Sequence, residues 1–350
     1  MDSLQNIISY LANYKGRDIK LMEVCGTHTS SIVKNGLRSI ISPKIRLCSG
    51  PGCPVCVTQQ EYIDKLCSYS LDKNTVVLTF GDMMKVQGIM ESLADAKARG
   101  GNIGIFYSPF EVIERALKTP DITYIVAAVG FETTVPIYAL MMEYIIKEKI
   151  KNIKFLTALK IIIPVLEILC DQENNIDGFI APGHVSAIIG SDAYAPLSKK
   201  FSKPFAVSGF TAQEILIGIY DLVRQIECGK GETHNLYKAV VSATGNHKAC
   251  LFINKYYESD RAVWRGVGEL DNSGLYIKNN YEEFDAGSRN IHYNNKESVL
   301  CRCSDVIMGR IQPLECEMFG TGCNPAKAMG PCMVSSEGVC GIWYKQGGNK

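Results

Sequence analysis

The sequence predicts an α/β fold: two parallel-sheet α/β units of similar plan, plus an irregular, mostly helical region rich in cysteine. Three observations carry that expectation. Short β-branched runs repeatedly end in Gly or Ser and give way to helix-periodic segments, the pattern of strands joined by crossover helices. Several of these junctions carry S/T-x-x-E sequences, in which a hydroxyl and a glutamate satisfy the first orphan amides of a helix. No internal repeat or low-complexity tract is present, so a solenoid is not expected.

Taken in chain order, IKLMEV leads into Cys25-Gly26-Thr27-His28-Thr29, TVVLTF into Gly81-Asp82-Met83, NIGIFY into Ser108-Pro109, and YIVAAV into Gly130-Phe131-Glu132-Thr133-Thr134. The plan repeats as GFIAP before Gly183-His184-Val185-Ser186, and as FAV before Ser208-Gly209-Phe210-Thr211 and the helix AQEILIGIYDLVRQIE. Capping boxes are expected at Thr58 with Glu61, Ser108 with Glu111, and Thr211 with Glu214, and Pro109 suits a first helical position. After about residue 245 Asn, Tyr, Gly and charged residues rise and the β-branched runs vanish. The expected units are therefore 30–140, with the Cys25 loop at its edge, then 141–245, and a third region formed by 1–29 with 246–350.

A chain of 350 residues with 46% hydrophobic content can bury ordinary cores without staples. Its formal net charge of +1 comes from well-mixed Lys/Arg and Asp/Glu, which offers no footprint for nucleic acid or an anionic membrane. The first twenty residues lack a signal-peptide core and no long apolar run follows, so a cytoplasmic protein is expected. Fourteen cysteines are well short of a disulfide scaffold, and in a reducing compartment clustered thiols point to metal or redox chemistry. Cys67, Cys170, Cys228 and Cys250 stand singly and read as small buried hydrophobes.

Ligands collect at the carboxyl ends of parallel strands, where Cys25, Cys53, Cys56 and Glu132 all fall. A thiol at a helix N-terminus meets aligned amide dipoles that favour the thiolate, and Cys56, two residues before the Thr58 cap, fits that description. Cys-Pro-Val-Cys can close a small disulfide ring or grip one metal ion, and no second C-x-x-C is present to complete a zinc site. Cys316, Cys323, Cys332 and Cys340, amid Gly and Pro at irregular spacing, suit an iron–sulfur cluster better than zinc or disulfides. Cys301 and Cys303 are spare: near enough to substitute, but too adjacent to be natural co-ligands. His28 could orient a bound group or be a hydrogen-bonded loop residue, and His184 is similar; Glu132 could take a proton or cap a helix. There is no P-loop, and Gly-Pro-Gly-Cys-Pro-Val fails the dinucleotide pattern, so nucleotide binding is not expected.

In order along the chain, EVCGTHT, CSGPGCPVC, TFGDM, YSPFEVIERAL, AVGFETT, GFIAPGHVSAIIG, GNHKA, WRGVG, FGTGC and GPCMVSSEGVC strongly resemble the hydrogenase maturation protein family HypD. The resemblance implies a scaffold and redox protein, rather than a conventional turnover enzyme, for building the iron of [NiFe]-hydrogenase with its two cyanides and one carbon monoxide. It implies a small chaperone partner, HypC, a cyanide donor, HypE, and a bound [4Fe-4S] cluster. Carried onto this sequence, Cys25 would be an iron ligand, Cys53 and Cys56 a redox dithiol able to touch the iron, and Cys316, Cys323, Cys332 and Cys340 the cluster ligands. His28 and Glu132 would line the same cleft. The chain departs from the family pattern at Gln87, at Lys160 to Pro164 and at Thr211, all away from the cysteines. The rival reading is an iron–sulfur-dependent disulfide reductase in which Cys25 is incidental; a zinc-stabilised interaction module is a third.

Overall fold

A computed structural model describes residues 3–171, 175–293 and 301–346. Its strands are β1 (Ile19–Glu23), β2 (Ile45–Ser49), β3 (Thr75–Thr79), β4 (Ile103–Ile105), β5 (Thr123–Gly130), β6 (Ile153–Lys160), β7 (Gly178–Pro182), β8 (Phe205–Ser208), β9 (Thr233–Asn235), β10 (Tyr257–Trp264) and β11 (Gly268–Ile277). They form two sheets, β2-β1-β7-β8-β9 and β10-β11-β6-β5-β3-β4. The first is wholly parallel; the second is parallel through β4, β3, β5 and β6 and ends in the antiparallel β10–β11 hairpin. This is the α/β class the strand–helix alternation predicts.

The sheets do not follow the contiguous units expected from composition. β1 pairs with β2 on one side and β7 on the other, with Leu21 opposite Gly178, so the first sheet draws on both 19–49 and 178–235. Residues 75–160 form most of the second sheet, and the hairpin joins it through Gly274 opposite Lys160 rather than belonging to the third region. No β-branched run marks the hairpin because in YESDRAVW the stretch Glu258–Arg261 is exposed and polar, and only Tyr257 and the closing Ala262–Trp264 are buried. The N-terminal helix Leu4–Ala12 packs Ile7 and Leu11 onto the first sheet, with Leu21 and Ile215, and not onto the cysteine region.

Helix starts largely follow the predicted chemistry. Thr211 and Glu214 form the full capping box; at Ser108 the hydroxyl accepts from Phe110 N and Glu111 reaches back to Tyr107 N, so that helix is capped with Pro109 in its first turn but the expected Ser108–Glu111 box does not form. Thr58 does not cap: its hydroxyl donates to Pro54 O at 2.8 Å, and Gln59 precedes the helix Gln60–Ser70. The Cys53–Thr58 turn is too tight to release that side chain, since Val57 N and Thr58 N bond back to Cys53 O and Val55 O. A box at Ser92 and Asp95 forms instead elsewhere. One buried cluster ties the assembly together, joining Met22 and Phe179 of the first sheet, Phe131 and Trp264 of the second, the Cys53–Cys56 loop and the late cysteines. Among the described residues no helix is long and apolar enough to cross a membrane.

Candidate functional site

Cys25 leaves the end of β1 and is the N-cap of the helix Gly26–Lys34. The amides of Thr27 and His28 point at its sulfur and favour the thiolate, but burial dominates and pushes the thiol up to about 11. The helix-terminus argument made for Cys56 therefore belongs to Cys25, because Cys56 lies three residues ahead of Gln59 inside the turn. Beneath Cys25, Glu23 is almost wholly buried: Cys25 N donates to its Oε2 at 3.1 Å and the Thr29 hydroxyl donates to its Oε1. Burial pushes this carboxyl up to about 7, against the pull of bonds from Ser49 and Thr29.

The Cys53–Cys56 loop rests directly on the Cys25 loop. Gly50 N donates to Glu23 O at 2.7 Å, and a side chain at Gly52 would collide with the Val24–Cys25 peptide, which is why glycine stands there. Cys53 and Cys56 are joined as a buried disulfide with Cα atoms 5.3 Å apart. Of the two outcomes open to Cys-Pro-Val-Cys, the ring is the one the structure contains.

Glu132, in the turn after β5, caps a helix, though not its own. Its Oε1 accepts from Ile162 N at 2.9 Å, at the start of Ile162–Asp171, while Oε2 is buried without a hydrogen-bond partner. Burial pushes the carboxyl up to about 7. Tyr194 links it to Cys25: burial holds its phenol far above the ordinary value, the charges of Glu132 and Cys25 push the same way, and its hydroxyl pairs with Ser186 at 2.9 Å. His28 is fully buried, its Nε2 donating to Gly209 O at 2.9 Å, so Nδ1 is a bare acceptor with no partner. Burial lowers this ring to about 4, which keeps it neutral. Phe210 lies between His28 and His184, with centroids 4.7 and 4.1 Å away. Lys160 is also buried, its Nζ on Val263 O at 2.8 Å, and burial lowers it to about 7.

The late cysteines converge. Cys316, Cys323, Cys332 and Cys340 are all buried, carried on short turns and helices such as Pro331–Val334 and Val339–Lys345. Cys301 and Cys303 enter the same place rather than standing spare: Cys303 Sγ lies 3.1 Å from Cys301 Sγ and also shares hydrogen bonds with Cys332 and Cys340. A small chamber is lined by Cys301, Cys303, Cys316, Cys323 and Cys340 with Met318 and Met333, and Cys332 sits behind Cys303. Sequence spacing underrated the C-R-C pair because Gly330 leaves room for both sulfurs; any side chain there would strike them. Six soft thiols with thioether and aromatic neighbours, and no oxygen donor, match the preference of an iron–sulfur cluster. Among the described residues no group of three or more His, Cys, Asp or Glu side chains is already drawn round one point as a metal site, the late thiols included.

A second small cavity, bounded by Cys56, Arg265, Cys301 and Cys303, separates the chamber from the disulfide. The late segment is also latched beside Cys25: Asp82 accepts from the Ser335 and Ser336 hydroxyls and Ser336 N, at 3.2, 2.8 and 2.8 Å, and Gly26 abuts Glu337. Glu23, Asp82 and Arg265 lie inside the quoted motifs EVCGTHT, TFGDM and WRGVG, which is the sequence signal for them, whereas Tyr194 lies outside every quoted motif.

Comparison with known proteins agrees in extent and kind. The family model described as HypD, the hydrogenase formation hypA family, matches residues 2–347. The chain is 36% identical to hydrogenase maturation factor HypD of Escherichia coli K12, across 99% of this chain and 94% of that protein. It is likewise 36% identical to the factors of the same name from Rhodobacter capsulatus and Azotobacter vinelandii, in each case across 95% of this chain and 90% of the relative. A match of that length, over the loops that carry Cys25, the disulfide and the late cysteines, makes this chain a member of the HypD family of hydrogenase maturation factors.

Proposed function

We propose that the protein is a scaffold and redox factor on which the iron of [NiFe]-hydrogenase receives its cyanide and carbon monoxide ligands. The observation that carries this reading is the pairing of two sulfur sites: Cys25 under the Cys53–Cys56 loop, and the late thiol chamber, with one small cavity touching both Cys56 and Cys301/Cys303. Iron(II) with strong-field ligands is soft, and a thiolate at Cys25 suits it as a holding ligand; burial keeps the free thiol protonated, so binding would release that proton, a cost the helix amides at the sulfur reduce in part. Once reduced, Cys53 and Cys56 could reach the same iron.

A [4Fe-4S] cluster held by four chamber cysteines would supply electrons singly. The spacing assigns Cys316, Cys323, Cys332 and Cys340, while the chamber lining brings in Cys301 and Cys303 as well, so two of six thiols are left over. Such a free pair can exchange with Cys53–Cys56: one thiolate attacks Cys56, Cys53 leaves as thiolate, and the second thiol resolves the mixed disulfide. Glu132 Oε2 offers a proton store beside Tyr194, and the neutral His28 ties the Gly209 loop to the helix that Cys25 caps. A HypC-type chaperone would share the iron and a HypE-type donor would deliver cyanide in the cytoplasm.

Infrared spectroscopy of an anaerobic, iron-replete complex with those partners tests the reading, with bands from iron-bound cyanide and carbon monoxide as the expected result. Their absence would overturn it. Cys25→Ser separates scaffold from disulfide reductase: a scaffold loses its bound iron and keeps Cys53–Cys56 exchange, whereas a reductase is unaffected.

A further inference from the structure

We propose that Arg265 is a positioning residue for thiol–disulfide exchange, its guanidinium supplying the positive charge in the gap between the late thiols and the Cys53–Cys56 disulfide. The inference rests on the exchange reading given above and adds the residue that governs its rate.

Arg265 lies in the turn between β10 and β11, and that turn is wedged between the two sulfur-bearing segments. On one side Arg265 N donates to Val57 O at 2.9 Å, immediately after the disulfide. On the other, Gly266, at φ +80°, approaches Ser304 so closely that an added Cβ would stand 3.0 Å from Ser304 Cα, next to Cys303. The Arg265 side chain bounds the small cavity that Cys56, Cys301 and Cys303 also line. Its Nη1 reaches only a neutral carbonyl, Gln87 O, at 3.4 Å, and among the described residues no carboxylate pairs with it. A half-buried guanidinium without an acidic partner, facing sulfur, is a charge available to an anion.

The chemistry needs such a charge. A late thiolate attacks Cys56 Sγ, the Cys53–Cys56 bond breaks, and Cys53 leaves as thiolate; a second late thiol then gives up its proton to Cys53 and displaces Cys56. One disulfide is exchanged for another: two electrons and one proton move, Cys56 is released as thiolate, and no outside reagent is needed. At the transition state one negative charge is spread over three sulfurs in a poorly hydrated gap. A full positive charge at the rim lowers that barrier, and its loss slows exchange by about tenfold or more.

The test uses the full chain under anaerobic conditions, with Cys53–Cys56 oxidised. Exchange is started by raising the pH from about 4 to 8 with no added reductant, samples are acid-quenched and alkylated at timed intervals, and peptide mass spectrometry reads the appearance of free Cys53 and Cys56 with the matching loss of free late thiols. Arg265→Gln is expected to slow that appearance about tenfold while Arg265→Lys, which keeps the charge, stays within about threefold of the unmodified protein. Equal rates for Arg265→Gln and the unmodified protein would overturn the proposal. So would Arg265→Lys as slow as Arg265→Gln, since packing rather than charge would then be responsible. Cys303→Ser serves as the separate check on the exchange reading: if Cys53 and Cys56 are freed at an unchanged rate without that thiol, the reading itself fails, whatever Arg265 does.

Discussion

Glu132→Gln should make the protein more stable at pH 8 and leave it nearly unchanged at pH 4. Glu132 is 4% exposed, one oxygen bonds Ile162 N, and the other has no partner. Burial raises its pKa from 4.5 to about 7, so the folded state binds the proton more tightly than the unfolded state. The stability this provides is complete below pH 4.5 and is lost as pH rises to about 7. A shift of that size corresponds to about 3 kcal/mol. Glutamine keeps an acceptor for Ile162 N and mimics the protonated acid, so the variant escapes the loss. Glu23, also raised to about 7, titrates in the same window, and comparing variant with parent cancels its contribution. Urea unfolding at pH 4, 6 and 8 reads the difference, which should grow from near zero to about 3 kcal/mol between the first and last. A gap independent of pH, or a variant weaker than its parent at pH 8, would show that Glu132 is not held protonated by burial.

Other perturbations probe the joints around the sulfur sites. Gly52→Ala should force the Cys53–Cys56 loop off the Val24–Cys25 peptide, costing about 1–3 kcal/mol and raising the alkylation rate of Cys25; unchanged reactivity would separate the two loops. Asp82→Ala removes the acceptor for three donors at Ser335 and Ser336, and hydrogen exchange across 331–340 should rise by about 1–3 kcal/mol of lost protection while the strands stay protected. Trp264→Ala empties a fully buried position that packs against Phe131, 5.7 Å between centroids, and removes the bond Trp264 Nε1 donates to Ser273 Oγ; thermal unfolding should report a loss of about 3–5 kcal/mol.

The strand ends were legible because β-branched runs stopped by glycine leave few alternatives, and Cys25, Glu132 and the Cys53–Cys56 loop all lie where that logic puts them. Pairing across long separations was not. Nothing local in IKLME declares that Gly178, rather than a nearer strand, lies beside it. Thr58 misled because a capping sequence competes with the tighter turn that Cys-Pro-Val-Cys imposes, and the turn wins. Cys303 was underrated because spacing along the chain measures adjacency, while its contact with Cys332 and Cys340 depends on how the chain doubles back past Gly330.

The interleaving of the first sheet orders events during synthesis. β1 is exposed along one edge until Gly178–Pro182 has been made, and the second sheet lacks its terminal hairpin until residue 277. A growing polypeptide thus cannot finish either layer from its early half, and with so many distant pairings its folding should be slow. Cys25 emerges from the ribosome long before the surroundings that bury it, so a nascent chain carries a thiol with no formed pocket until the last strands are made.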